Sequence, residues 1–369
     1  MSSRQPLAGA LEPSRPRPIR AKLSAELGRP VPRPSARPRV VVGLTAVIVA
    51  VTDEVPRLLT VSGGTGTKAM PASVSDHGRG RPETLPFGPL DSAADRTLEL
   101  GLRKLVRAQS GLELGYVEQL YTFGDMARSG HGHGNVRDIS VAYLALVREE
   151  RVARSGASRW RDVYEFLPWE DWREGRPRVL DQTISPALRR WADAPGVRDV
   201  RRARRERADI TFGLGGAPFD RLRVLERYEL LYEVGLVAEA AESAAGGRAG
   251  SGEPSPVHLG RAMGMDHRRI LASALSRLRG KLQYRPVVFE LLPHAFTLFQ
   301  LQRLVEALAG VRLHKQNFRR LVEHGGLVEG TGRLDARTGG RPAGLFRFRR
   351  EVLRERRAPG VGLPATRES

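Results

Sequence analysis

The sequence predicts an α+β chain that ends in a winged helix-turn-helix, and three observations carry that prediction. A β-branched run of strand length, Arg39 to Val51, is followed by a leucine-bearing helical stretch and then by several strand-like segments. Two helical stretches separated by a short turn follow Thr297. Two short strand-like pieces, Leu327-Val328 and Leu345 to Phe348, then flank a span rich in Gly and Arg. A strand hairpin, a loop, a helix and further strands are an α+β arrangement.

The first 38 residues are dense in Pro and Arg, as in RPRPIR and RPVPRPSARPR, lack apolar periodicity and are expected to be a disordered tail. Arg39 to Val51 (RVVVGLTAVIVAV) reads as a strand and Arg57 to Val61 as its hairpin partner, followed by a Gly/Ser/Pro loop from Ser62 to Pro82. Ala93 to Ala108 reads as a helix with Leu98, Leu102 and Leu105 inward, closed by Gly111. Val117 to Phe123, Asp138 to Val147 and Tyr164 to Leu167 read as strands. Trp169 and Trp172 of PWEDW read as packing residues, and a helix from Val179 to Trp191 closes a first domain expected over 39–195.

An insert is expected over 196–257. It holds the basic run Val200 to Arg207 (VRRARRER), the loop Gly213 to Ala217, and an amphipathic helix from Phe219 to Ala241 with Leu222, Leu225, Leu231 and Val234 apolar. A flexible Gly/Ser linker, Ala244 to Pro256, ends it. GLGGA lacks the preceding strand that a phosphate-binding loop needs.

The last domain is expected over 258–353, with a disordered tail from 354 to 369. Asp266 to Gln283 is a connecting helix whose Ile270, Leu271, Ala274, Leu275 and Leu278 form one apolar stripe, to be buried against the first domain, a second subunit, or both. Thr297 and Gln300 form a capping box, Leu298, Leu301, Leu304, Val305 and Leu308 recur at helical spacing, and Gly310 closes this helix. After a turn, Phe318, Leu321 and Val322 form the inner face of a second helix, leaving Lys315, Gln316, Arg319, Arg320 and Glu323 outward. The span Thr331 to Arg341 is the wing.

A helix fits the major groove, where Arg and Lys donate to guanine and Gln to adenine. Lys315, Gln316, Asn317, Arg319 and Arg320 are therefore the candidate groove-facing residues, and Arg333, Arg337 and Arg341 of the wing would reach phosphates or a minor groove. A winged helix also serves elsewhere as a dimerisation or protein-contact module. Charge favours the nucleic-acid reading: the chain carries a formal +20, and from Pro256 to Ser369 there are 22 Arg and Lys against 9 Asp and Glu. Only five of the basic residues are Lys, so an arginine-rich composition contributes to that charge. The absence of Cys excludes disulfides and thiolate metal sites. With no apolar run of about 20 residues and no apolar signal core, a cytoplasmic protein without a membrane partner is expected.

LPFGP, a helix ending SGL, and YVEQLYTFGD resemble the Nudix fold in the form carried by NrtR-type transcriptional regulators. NFRR (Asn317 to Arg320), GGRPAGLFRF (Gly339 to Phe348) and RPVVFELLPHAFTL (Arg285 to Leu298) are similar to that family's winged helix and to the join before it, most closely to its NadQ type. The resemblance covers roughly Val40 to Leu353. It implies a degenerate Nudix-like α/β/α sandwich domain followed by the winged helix-turn-helix. It also implies a homodimer on double-stranded operator DNA, control of NAD biosynthesis genes, and an NAD-related or adenine nucleotide as effector with no required cofactor. In this family Asp often caps the second helix; His314 stands there, and a weaker helix start is expected.

An active Nudix box gathers carboxylates on one helix face to hold Mg²⁺ and manage the attacking water. Here its Arg-Glu positions hold Lys104 and Leu105 and its Glu-Glu positions hold Ala108 and Gln109, so no catalytic residue is assigned. Asp95 and Glu99 remain, with Glu99 expected to pair with Arg103. Tyr121, Phe123 and Asp125 are the candidate ligand-binding residues, the rings stacking on a base and the carboxylate taking ribose hydroxyls; the competing reading makes the rings sheet core. His131 and His133, with no third ligand nearby, are read as solvent-exposed rather than as a metal site. The alternative functions are a Nudix-type hydrolase with an accessory nucleic-acid module, and a nucleic-acid binder acting through charge alone.

Overall fold

A computed structural model describes residues 39–62, 82–124, 136–149, 158–240, 258–336, 342–355 and 360–361. The expected N-terminal tail, the His131-Gly132-His133 segment, the Ala244–Pro256 linker and most of the Ser62–Pro82 loop lie outside the described residues.

A mixed sheet organises the first half. Its order is β4 (Tyr116–Phe123), β5 (Val136–Leu146), β1 (Arg39–Thr52), β2 (Val55–Val61), β6 (Ser158–Asp162), with β3 (Phe87–Pro89) also pairing β1. Strands β1 and β5 run parallel from Arg39↔Val136 to Val49↔Leu146, and the other pairs are antiparallel. Successive side chains of β1 point to opposite faces. Leu44, Ala46, Ile48 and Ala50 join Leu102 and Val106 of helix α1 (Leu98–Ser110) on one side. Val47 and Val49 join a larger core on the other. Burial on both faces explains why the strand reads as a continuous apolar run instead of an alternating one.

Helix α1 begins five residues later than its apolar pattern suggests. Asp91 Oδ1 accepts the N–H groups of Ala93 and Ala94 at 3.1 Å each, folding that stretch into a turn, and Thr97 Oγ1 then caps the helix through the Leu100 N–H at 3.1 Å. Gly111, at φ 75°, closes it as expected. Tyr164 to Leu167 is not a strand. Asp162 Oδ1 accepts the Tyr164 N–H at 2.8 Å and starts the short helix α2 (Val163–Phe166); the strand lies just before it.

Next come a π turn (Leu180–Ile184) and helices α3 (Ser185–Asp193), α4 (Arg198–Phe212) and α5 (Val224–Glu233). The run VRRARRER lies within α4. The helix expected over Phe219 to Ala241 starts only at Val224 and is interrupted after Glu233 by Gly235, at φ 77°, with residues 238–240 helical again beyond it.

The connecting helix is α6 (His267–Tyr284), and Ile270, Leu271, Ala274, Leu275, Leu278 and Leu282 are all buried within this one chain. It packs against β1, β4, α5 and α7 (Leu298–Ala309), so its apolar stripe is already used. Helix α9 (Val352–Glu355) runs two residues into the stretch expected as a tail, and Val361 of that stretch is buried.

A buried charge cluster ties these parts together. Glu170, 1% exposed, accepts from Arg227 of α5 at 2.6 and 3.0 Å and from Arg279 of α6 at 2.5 Å. Arg279 also donates to the Glu170 carbonyl at 2.9 Å and to the Leu308 carbonyl of α7 at 3.4 Å. Beside it the Tyr164 hydroxyl donates to the Ala307 carbonyl at 2.8 Å; burial pushes this phenol up to about 12, which keeps it a donor. Burial alone would raise the Glu170 pKa, but the two guanidiniums outweigh it and hold the carboxyl below its ordinary range.

Candidate nucleic-acid interface

The interface is built on two helices and a ribbon. Helix α7 starts with a complete capping box: Thr297 Oγ1 accepts the Gln300 N–H at 3.1 Å and Gln300 Oε1 accepts the Thr297 N–H at 2.8 Å. It ends at Gly310, φ 69°, whose carbonyl accepts the Trp172 N–H at 2.7 Å.

The turn that follows is set by a carboxylate. Glu306 is buried, and its Oε1 accepts the Leu313 N–H and the Gln302 amide at 2.9 Å each. Its Oε2 takes Arg303 at 2.8 Å and Arg312 at 3.2 Å. Desolvation pushes the Glu306 pKa up, yet these donors prevail and leave it lowered. Arg303 and Arg312 also reach Glu54, at 3.3 and 3.5 Å, on the β1–β2 hairpin tip. Asp53 and Glu54 both have positive φ, 50° and 62°, as a two-residue hairpin turn requires. The turn between the helices is thus fastened to the sheet domain. Glu306 had one signal in the sequence, a carboxylate set within the apolar pattern of LVEALAG; Glu54 had none.

Helix α8 (Lys315–His324) buries Phe318 and Val322. Leu321, expected inward, is 36% exposed. The short helix touches the core along one line, and Phe318 and Val322, four residues apart, fill it. His314 stands at the N-cap without a side-chain capping bond, in keeping with a weak start. Lys315, Gln316, Asn317, Arg319 and Arg320 are all exposed. Arg319 Nε donates to Glu323 at 2.9 Å, an exposed pair that costs little to break.

Strands β7 (Val328–Asp335) and β8 (Ala343–Phe348) form the ribbon, pinned to the start of α7 by reciprocal Phe296–Phe346 backbone bonds of 2.9 and 2.8 Å. The register slips between Gly330 and Leu334, and this bulge presents Arg333 to solvent. Arg337 and Arg341 lie outside the described residues. The structure therefore brings five of the eight candidates onto one exposed helix and a sixth onto the adjacent ribbon.

Residues 288–348 match the model of the NrtR DNA-binding winged helix domain. Helices α7 and α8 and the ribbon are thus similar to an NrtR winged helix. A curated relative, the "ADPR responsive transcriptional repressor NtrR" of Acinetobacter baylyi, is 38% identical over 86 residues, 23% of this chain and 34% of that protein. The chain thus spans about a third of that relative's length. A crystal structure of Shewanella oneidensis NrtR complexed with a 27mer DNA has a TM-score of 0.50 to this chain at 19% identity, covering 84% of this chain and 94% of that one. The fold is shared over most of both chains: a mixed sheet with flanking helices, followed by a winged helix.

On the sheet domain, the candidate ligand rings behave differently from each other. A bulge between Gln119 and Tyr121 turns β4, leaving Tyr121 63% exposed, whereas Phe123 is 3% exposed and lies in the core. Their rings meet edge to face at 5.4 Å, with the Arg269 guanidinium 5.8 Å from Phe123. Only Tyr121 offers a face for a base; Asp125 lies outside the described residues.

The carboxylates near α1 are held by the chain's own cations. Glu99 takes Arg103 at 2.8 and 3.0 Å, and Asp95 takes Lys104 at 3.1 Å. Asp95 precedes the helix, and the Asp91 N–H and Lys104 hold its pKa below the ordinary value. Gln109 donates to the Phe87 carbonyl at 2.8 Å.

Proposed function

We propose that this chain is a ligand-responsive transcriptional regulator, a homodimeric repressor of NAD biosynthesis genes. Its winged helix reads operator DNA, and its Nudix-type domain senses ADP-ribose or a related nucleotide without hydrolysing it. One observation carries the reading: an exposed Lys315–Arg320 surface on the second helix of a domain that matches the NrtR DNA-binding model. Lys315, Gln316, Asn317, Arg319 and Arg320 enter the major groove, and Arg333, Arg337 and Arg341 grip the backbone beside it. The relative's ADPR-responsive description supports the effector, and the exposure of the Tyr121 ring supports its stacking on an adenine. Two heads spaced by the dimer fit half-sites about one DNA turn apart, so a nucleotide that alters their spacing alters affinity.

Loss of hydrolysis follows from residue type. Leu105, Ala108 and Gln109 stand where the metal-holding carboxylates would be, and the Lys104 ammonium neutralises Asp95. The test has two parts. Selection of duplexes from a random pool by the full chain should yield a two-fold symmetric site, and Arg319→Ala or Arg320→Ala should weaken binding to it by roughly 1–3 kcal/mol. Enrichment of no sequence, or full binding by both variants, would contradict the assignment. Turnover of ADP-ribose with Mg²⁺ that vanishes in Glu99→Gln would replace it with a hydrolase.

A further inference from the structure

We propose that helix α4 carries a second DNA contact, a phosphate-binding stripe that grips the duplex backbone outside the site read by the winged helix. This rests on the DNA-binding reading above and adds a surface from the insert, whose role that reading leaves open.

Arg198, Arg201, Arg202 and Arg205 recur at i, i+3, i+4 and i+7, so they share one face of α4, and all four are exposed. Arg198 and Arg201 have no partner among the described residues, and the Arg202 side chain, 81% exposed, meets only Asp199 at 3.9 Å. Arg205 pairs with Asp193 at 2.5 Å. Exposed Arg189 and Arg190 on α3, the helix packed beside it, also have no partner among the described residues. Elsewhere in the chain Arg103, Arg173 and Arg176 each hold a carboxylate.

Helix stability does not explain the stripe. Arg198 to Arg202 and Arg201 to Arg205 are like-charge pairs at i,i+4, which repel. Three of the four arginines lie in the first turns, where the helix dipole disfavours cations. A polyanion removes both penalties at once, and the winged helix in the same chain supplies the reason for a duplex to be near.

Position supports the same partner. Gly213, which ends α4 at φ 62°, packs on Phe219, whose ring lies 4.3 Å from Trp172. The Trp172 N–H donates to Gly310 at the turn leading into α8. The fixed end of α4 is therefore joined to the head, and the stripe begins about 12 Å and ends about 22 Å along the helix from that joint. Seven residues of helix span about 10 Å, the axial length of roughly three phosphates on one strand.

The test is a salt titration of the full chain on a fluorescein-labelled random-sequence duplex of roughly 30 base pairs, three helical turns, and on the duplex selected above. Arg198→Ala/Arg201→Ala/Arg202→Ala should flatten the slope of log K against log salt by roughly 2–3 and weaken both duplexes by the same factor, leaving their ratio unchanged. The triple Lys variant should keep most of the slope, which separates lost charge from lost structure. Wild-type slope and affinity in the Ala variant would overturn the stripe while leaving the head's function intact. Unchanged DNA binding with lost binding to polyglutamate would also overturn it, pointing to an acidic protein surface. A wild-type chain that binds neither duplex would sink the proposed function itself.

Discussion

Two buried glutamates hold the chain's parts in place. Glu170 lies between Arg227 and Arg279, and Glu306 lies under the turn that aims α8. Removing one member of such a cluster strands the others, so Glu170→Ala should cost roughly 3–5 kcal/mol in chemical denaturation, against well under 1 kcal/mol for exposed Glu323→Ala. Both carboxyls have folded-state pKa values below their unfolded ones. Their stabilisation is therefore fully present above the unfolded carboxylate value of about 4.3 and is lost as pH falls through the lower folded values. Melting temperatures should be flat with respect to these groups near neutrality and drop below about pH 4. A profile falling already from pH 7 to 6 would assign that loss to other groups. The role of Glu170 was not legible in the sequence, because its partners lie 57 and 109 residues away. Glu306, whose partners lie within seven residues, left the one signal of a carboxylate inside an apolar pattern. The outward set Lys315, Gln316, Arg319 and Arg320 was legible, since it needs only helical periodicity and two buried residues, Phe318 and Val322.

Local signals decided how far each element could be read. Helix α7 was legible to the residue because Thr297, Gln300 and Gly310 act within their own turns. Thr297→Ala should lower stability by about 1 kcal/mol through the lost cap, while Thr297→Ser should retain most of it, as denaturation would measure. Helix α1 and the Tyr164–Leu167 stretch were misread for the opposite reason: Asp91 and Asp162 each redirect the backbone by accepting N–H groups that the apolar pattern does not register. Gly235 likewise cut a helix whose hydrophobic spacing continued. At the ligand face, strand alternation puts Tyr121 and Phe123 on the same side, but not which ring is covered; the bulge at Gln119 and the packing of α6 decide that.

Across the whole molecule, α6 is one of the elements through which the two halves meet, beside the Glu54, Tyr164 and Trp172 contacts with the head. Lys281 reaches Glu118 of β4 at 2.5 Å, two residues before the bulge, and Arg269 lies over Phe123. The other side of α6 reaches α7 through Arg279 and the Leu308 carbonyl. On the proposed reading, a nucleotide ordering the Tyr121 end of β4 would act on a helix that already touches the head. Lys281→Ala should leave both nucleotide and DNA affinities near wild type while reducing the factor by which each changes the other; an undiminished factor would exclude this route. The central claim is that a nucleotide on the sheet domain changes how the head holds DNA. Its most direct measurement is the affinity of the full chain for its selected duplex, by fluorescence anisotropy, with and without saturating ADP-ribose. The account predicts a change of about fivefold or more, lost in Tyr121→Ala. Equal affinities, with calorimetry showing ADP-ribose bound, would contradict it.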